Sequence, residues 1–93
     1  MPEWIDPSGL SVSDECLKLF DAFIVHHHQA LPIRFEDEAL VVAVENPAEP
    51  DIEDRLRFAF NREVRLVAMP LAELKLALWR FYGPCPWEWN ADL

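Results

Sequence analysis

The sequence predicts a small α/β (α+β) fold: an N-terminal helix, then strand, strand, helix, strand and helix, built around a three-stranded mixed sheet. Three observations carry this prediction. Leu40-Val41-Val42-Ala43-Val44 has no polar alternation, which is how a strand covered on both faces reads. Segments 14–27 and 71–82 repeat apolar residues every three or four positions, the period of a helix with a buried face. One helical segment separates strand 40–44 from a second apolar run at 64–69, the layout of a βαβ crossover. Such crossovers are right-handed in about 98% of cases.

Residues 1–10 carry Pro2, Pro7 and Gly9 and read as a turn-rich lead-in, with Trp4 and Ile5 apolar enough to pack on the body. Ser11 or Ser13 can cap the first helix, and Asp14 and Glu15 suit its positive end. That helix is expected to run to His26 or His27, burying Cys16, Leu17, Phe20, Phe23, Ile24 and His27. Leu31-Pro32 stops it, because proline forces its predecessor toward extended geometry. Ile33-Arg34-Phe35 reads as a short strand. Glu36-Asp37-Glu38 lacks the Asn-Gly or Asp-Gly of the tightest hairpins, so a three- or four-residue loop is expected before strand 40–44.

Asn46-Pro47-Ala48-Glu49-Pro50 is a loop by composition. Asp51 can cap the next helix, whose buried stripe is Ile52, Leu56, Ala59 and Phe60, and Asn61 suits the left-handed position at its end. Pro70 opens the last helix at a position where its missing N–H costs nothing. Leu71, Leu74, Leu78, Phe81 and Tyr82 form that helix's buried face and Gly83 closes it.

A chain of 93 residues is expected to be one domain: lead-in 1–10, folded core 11–83 and an aromatic tail 84–93. Seventeen acidic residues against eight basic ones give a net charge of −9. That balance argues against nucleic acid and anionic membrane partners, whose phosphates require clustered Lys and Arg. No apolar run reaches the ~20 residues of a membrane span, and the N-terminus has neither a basic nor an apolar leader region. A cytoplasmic protein without membrane insertion is expected. Cys16 reads as a small buried hydrophobe and Cys85 as a free thiol near the terminus.

No catalytic constellation emerges. Two glycines, Gly9 and Gly83, exclude a Walker A loop or a dinucleotide fingerprint. Three Ser and no Thr offer no nucleophile elbow. The carboxylates sit in turns and first helical turns, where they have structural reasons to be. His26-His27-His28 point about 100° apart on a helix and cannot converge on one ion; a helix C-terminus explains them better. No metal and no cofactor are expected, and an enzyme is not. Trp79, Tyr82, Trp87 and Trp89 are the candidate partner-binding residues. Such an aromatic end either folds back over the core or forms a docking patch, since Trp and Tyr concentrate at interface hot spots.

Leu31-Pro32-Ile33 followed by Leu40-Val41-Val42-Ala43-Val44-Glu45-Asn46-Pro47 resembles a signature of the N-terminal domain of type II secretion and type IV pilus assembly ATPases. Leu56-Arg57-Phe58-Ala59-Phe60-Asn61-Arg62-Glu63-Val64 is similar to a second segment of that family, with Asn61 in place of its usual Gly. Glu73-Leu74, Ala77 and Arg80-Phe81-Tyr82-Gly83 resemble its closing segment. The resemblance covers about residues 11–83. It implies a non-catalytic adaptor that docks on a cytoplasmic partner of an envelope-associated secretion or pilus machine. Some relatives also bind cyclic di-GMP through paired motifs opening Arg-Leu-Gly. Residues 7–17 hold no Arg-Leu-Gly and there is no second copy, so cyclic di-GMP is disfavoured as a ligand. The alternatives are a sensor binding a nucleotide at a loop such as 46–50, and a structural domain that self-associates through its aromatic tail.

Overall fold

The computed structural model describes residues 3–4 and 10–85. Its elements are β1 (Glu3–Trp4), α1 (Asp14–Leu19), α2 (Ala22–His28), β2 (Leu31–Glu36), β3 (Ala39–Val44), α3 (Ile52–Phe60), β4 (Val64–Ala68) and α4 (Leu71–Tyr82). The β-β-α-β-α order and the mixed three-stranded sheet β2-β3-β4 are those the sequence predicts. β3 pairs antiparallel with β2 and parallel with β4, in register from Leu40↔Val64 to Val44↔Ala68. The two-residue β1 adds a fourth, parallel strand beside β4, giving the order β1-β4-β3-β2. The lead-in gave no sign of it, because a pairing this short is set by its neighbour and not by its own pattern.

The first helix is two helices. Asp21 breaks it by turning its carboxylate onto the Ile24 N–H at 3.0 Å, while Phe20 adopts an extended backbone. The break re-aims the chain. Cys16 faces the core from α1 and Phe20 from its C-cap, and Val25 and His26 face it from α2, a five-residue step that no continuous helix provides. Phe23 and His27, expected to be buried, are consequently exposed. Ser13 caps α1 by accepting from the Cys16 N–H at 3.3 Å.

The hairpin also differs from expectation. Its loop is the two residues Asp37-Glu38, made possible by Asp37 at φ 55, a left-handed geometry that short polar side chains tolerate. Asp51 stands at the N-cap of α3 but makes no side-chain capping bond, whereas Asn61 takes the left-handed end position, φ 56 and ψ 43. On β2, Pro32 brings no N–H to the ladder, and the register shifts between Pro32 and Arg34.

The core centres on β3, where Leu40 through Val44 are buried together with Leu31, Ile33, Leu56, Leu74 and Leu78. Burying each such aliphatic side chain contributes roughly 1.5–3 kcal/mol, which makes β3 the least replaceable element. Phe20 meets Phe60 edge-on at 4.9 Å, and the Arg62 guanidinium lies over the Phe20 and Phe35 rings at 5.8 and 5.2 Å. Cys16 and Cys85 are free thiols, and both are buried. At the hairpin end, Glu36 is bonded by Arg34 at 2.8 Å and by Arg65 at 2.9 Å.

Candidate docking surface

α4 packs against β2, β3 and α2, burying Leu74, Ala77 and Leu78. The same helix turns a second apolar stripe outward. Ala72, Leu76 and Trp79, spaced i, i+4 and i+7, are exposed; Leu76 is 71% and Trp79 52% accessible. Lys75 and Arg80 flank this ridge and are exposed too, and the Arg80 guanidinium lies 5.3 Å from the Phe81 ring centroid.

The four aromatic candidates have different surroundings. Trp79 is on the ridge. Tyr82 is half-buried, and its hydroxyl donates to the Pro32 carbonyl at 2.8 Å. Burial pushes that phenol's pKa well up, so it stays protonated and keeps α4 tied to β2. Trp87 and Trp89 lie outside the described residues.

A second apolar surface lies between α2 and α3. Ile24, His28, Asp51, Asp54, Phe58 and Ala59 line a groove of about 560 Å³, with Arg55 beside His28. Phe58 is 90% accessible. It falls outside the Ile52-Leu56-Ala59-Phe60 stripe, and a large apolar residue off the buried face was the signal available in the sequence. Phe23, exposed on α2, stacks on His27 with ring centroids 6.0 Å apart.

The three histidines have different surroundings. His26 is buried with Nε2 2.8 Å from the Gly83 carbonyl, which joins α2 to the end of α4. His27 is exposed. His28 is half-buried, and its pKa is lowered by burial first, then by His27 and Arg55. His27 and His28 form one wall of a cleft of about 450 Å³ with Glu45, Asn46, Glu49 and Arg55. The cleft sits beyond the carboxyl end of β3, beside the start of α3. Within it lies part of loop 46–50, where Asn46 Oδ1 accepts from the Ala48 N–H at 3.1 Å.

The family model of the MshEN domain matches residues 2–84. The chain belongs to the MshEN domain family. The solved structure of MshE with cdg superposes with a TM-score of 0.74 at 22% identity, covering 87% of this chain and 59% of MshE. The N-terminal domain of XpsE superposes with a TM-score of 0.71 at 15% identity, covering 87% of this chain and 57% of that one. This MshEN chain thus spans under three-fifths of each of these two solved chains. Comparison with curated proteins finds no match. The resemblance to the N-terminal domains of secretion and pilus ATPases is borne out, and this MshEN domain corresponds to that N-terminal part and not to the catalytic one.

One expectation is overturned. The missing Arg-Leu-Gly disfavours cyclic di-GMP, yet MshE, which shares this fold, was solved with that ligand. Absence of one motif removes one set of contacts. It leaves other donors in place, such as Arg55, His28 and Asn46 around the cleft. Among the described residues, no helix is long and apolar enough to cross a membrane.

Proposed function

We propose that this MshEN domain is a non-catalytic, cytoplasmic docking module that joins a protein component of a secretion or pilus machine through the α4 ridge. The observation that carries this reading is the ridge itself. Leu76 and Trp79 stand one helical turn apart in solvent on the face of α4 opposite its buried leucines. Trp79 supplies the aromatic anchor typical of a hot spot. Tyr82 stands at the end of α4 with its hydroxyl bonded to the Pro32 carbonyl of β2. The test is affinity capture from a lysate of secreting or piliated bacteria, with the captured proteins identified by mass spectrometry. Wild type recovers a secretion or pilus component and Trp79→Asp does not. Recovery of no such component, or equal recovery by both proteins, sinks the reading.

A second reading is favoured by the cleft beyond β3 together with the ligand of MshE. Its volume lies within the range of small-molecule sites. Arg55 and His28 offer charge and N–H donors to a phosphate, while Glu45 and Glu49 accept from N–H groups such as those of a guanine edge. Calorimetric titration with cyclic di-GMP tests it: saturable heat that Arg55→Ala abolishes supports a sensor, and no heat with wild type removes it.

A further inference from the structure

Of the three consecutive histidines, His28 alone combines partial burial with uncommitted ring nitrogens. His26 has Nε2 engaged at the Gly83 carbonyl, and His27 is exposed. Among the described residues no group bonds either nitrogen of His28. Its ring contacts are His27, perpendicular at 4.8 Å, and Phe60, tilted at 6.5 Å. The charged groups around it come from three places. His27 is its neighbour on α2. The start of α3 brings Asp51, Asp54 and Arg55, and the loop after β3 brings Glu45 and Glu49. Asp54 is engaged by Arg57, whereas Arg55 forms no ion pair among the described residues.

Without a ligand the balance at His28 favours the neutral ring, because burial lowers its pKa first and His27 and Arg55 lower it further. An anion seated between Arg55 and His28 reverses that balance. A phosphodiester stays ionised throughout the neutral range, so any proton that moves must settle on the protein. As an imidazolium, His28 offers a charge-assisted N–H···O⁻ bond, roughly twice as strong as a neutral one. We infer that His28 takes a proton from solvent as a phosphate of the bound nucleotide seats between it and Arg55, so that this domain holds its ligand more tightly as pH falls. The inference rests on the reading of the cleft as a nucleotide site and adds the regulation of that site. Between the lowered value of the free ring and the higher value in the complex, binding brings up to one proton. Affinity there rises by up to about tenfold for each unit fall in pH. It levels off on either side, where the ring is protonated in both states or in neither.

The experiment is calorimetric titration of the full chain with cyclic di-GMP, at pH values on both sides of the ordinary histidine value near 6.5. Each titration is repeated in two non-phosphate buffers of different ionisation heat, which counts the protons taken up. Wild type is expected to take up close to one proton and to bind more tightly at the lower pH. His28→Gln, checked for native circular dichroism, is expected to bind with no proton uptake and with an affinity that pH does not change. Should that variant fold and not bind, the nuclear magnetic resonance titration of the wild-type His28 ring decides: a pKa raised by the ligand supports the inference, and an unmoved one overturns it. Saturable binding with equal heats in both buffers overturns proton uptake while leaving the nucleotide site standing. Uptake that survives in His28→Gln also overturns it. No saturable heat at any pH removes the nucleotide site and the inference with it.

Discussion

Leu74 and Leu76 are two residues apart on α4 and opposite in fate: one is fully buried against the sheet, the other lies 71% in solvent. Phe60 and Phe58 repeat the contrast on α3, where Phe60 is buried edge-on to Phe20 and Phe58 is 90% accessible. Each helix thus has an apolar face that the fold consumes and a second that it leaves open. The first face explains why the chain folds. The second is the face on which the proposed docking rests, because folding alone gives no reason for leucine, phenylalanine and tryptophan there.

The strongest way to test that contrast is to empty the consumed face. Leu74→Ala is expected to lower unfolding free energy by about 2–5 kcal/mol, the usual cost of a core cavity, measured by urea denaturation. A loss below about 1 kcal/mol would mean that α4 is not packed as described. Next comes the tie between α4 and β2. Tyr82→Phe removes the donor to the Pro32 carbonyl and is expected to cost about 0.5–1.5 kcal/mol, seen as a lower denaturation midpoint with an unchanged slope.

A gain of similar size is expected from Gln29→Gly. Gln29 ends α2 at φ 49, a geometry that strains a side chain and suits glycine. Relief of about 0.5–1 kcal/mol should follow, read as a higher thermal midpoint. Asn61→Gly should give less, since Asn already tolerates that region. On the open face the effect on folding should nearly vanish. Leu76→Ser is expected to change stability by no more than about 0.5 kcal/mol while abolishing partner capture. A large destabilisation would show that the ridge belongs to the core after all.

The smallest expected effect is a slope with pH. His28 has its pKa lowered in the folded protein, so the unfolded chain binds the proton more readily. Between the lowered value and the ordinary value near 6.5, stability must rise with pH; the contribution is complete above the ordinary value and is lost as pH falls toward the lowered one. His28→Gln should flatten that part of a stability-against-pH profile, and an unchanged slope would show that the groove wall does not desolvate the ring.

The residues that were legible in the sequence are those whose structure is locally determined. β3 reads as a doubly covered strand because five consecutive apolar residues have few other folded uses. Asn61 reads as a helix end because its left-handed tolerance is intrinsic. The break at Asp21 was not legible, since aspartate is equally at home on an exposed helix face. Only the need to bury Phe20, Val25 and His26 together decides for a cap. The strand β1 depends wholly on β4. The ridge was half legible: Trp79 was singled out as aromatic, but its partner Leu76 is visible only once α4 has chosen which side to bury. Phe58 lies off its helix's apolar stripe, a signal the sequence itself holds, whereas Phe23 falls on the buried stripe of an unbroken helix and leaves it only where Asp21 breaks that helix.

The sheet's outer margin sets the terms on which copies of this chain can meet. Beside β3, the edge strand β2 carries Pro32, which has no N–H to offer, and a register shift immediately after it. At the far side the sheet ends in a strand of two residues. Among the described residues, neither margin presents the long, regular row of donors and acceptors that templates strand-on-strand aggregation. A protein with this much exposed apolar surface on its helices is thereby kept from growing through its backbone. Encounters between copies are channelled to side chains, where charge and shape can make them reversible.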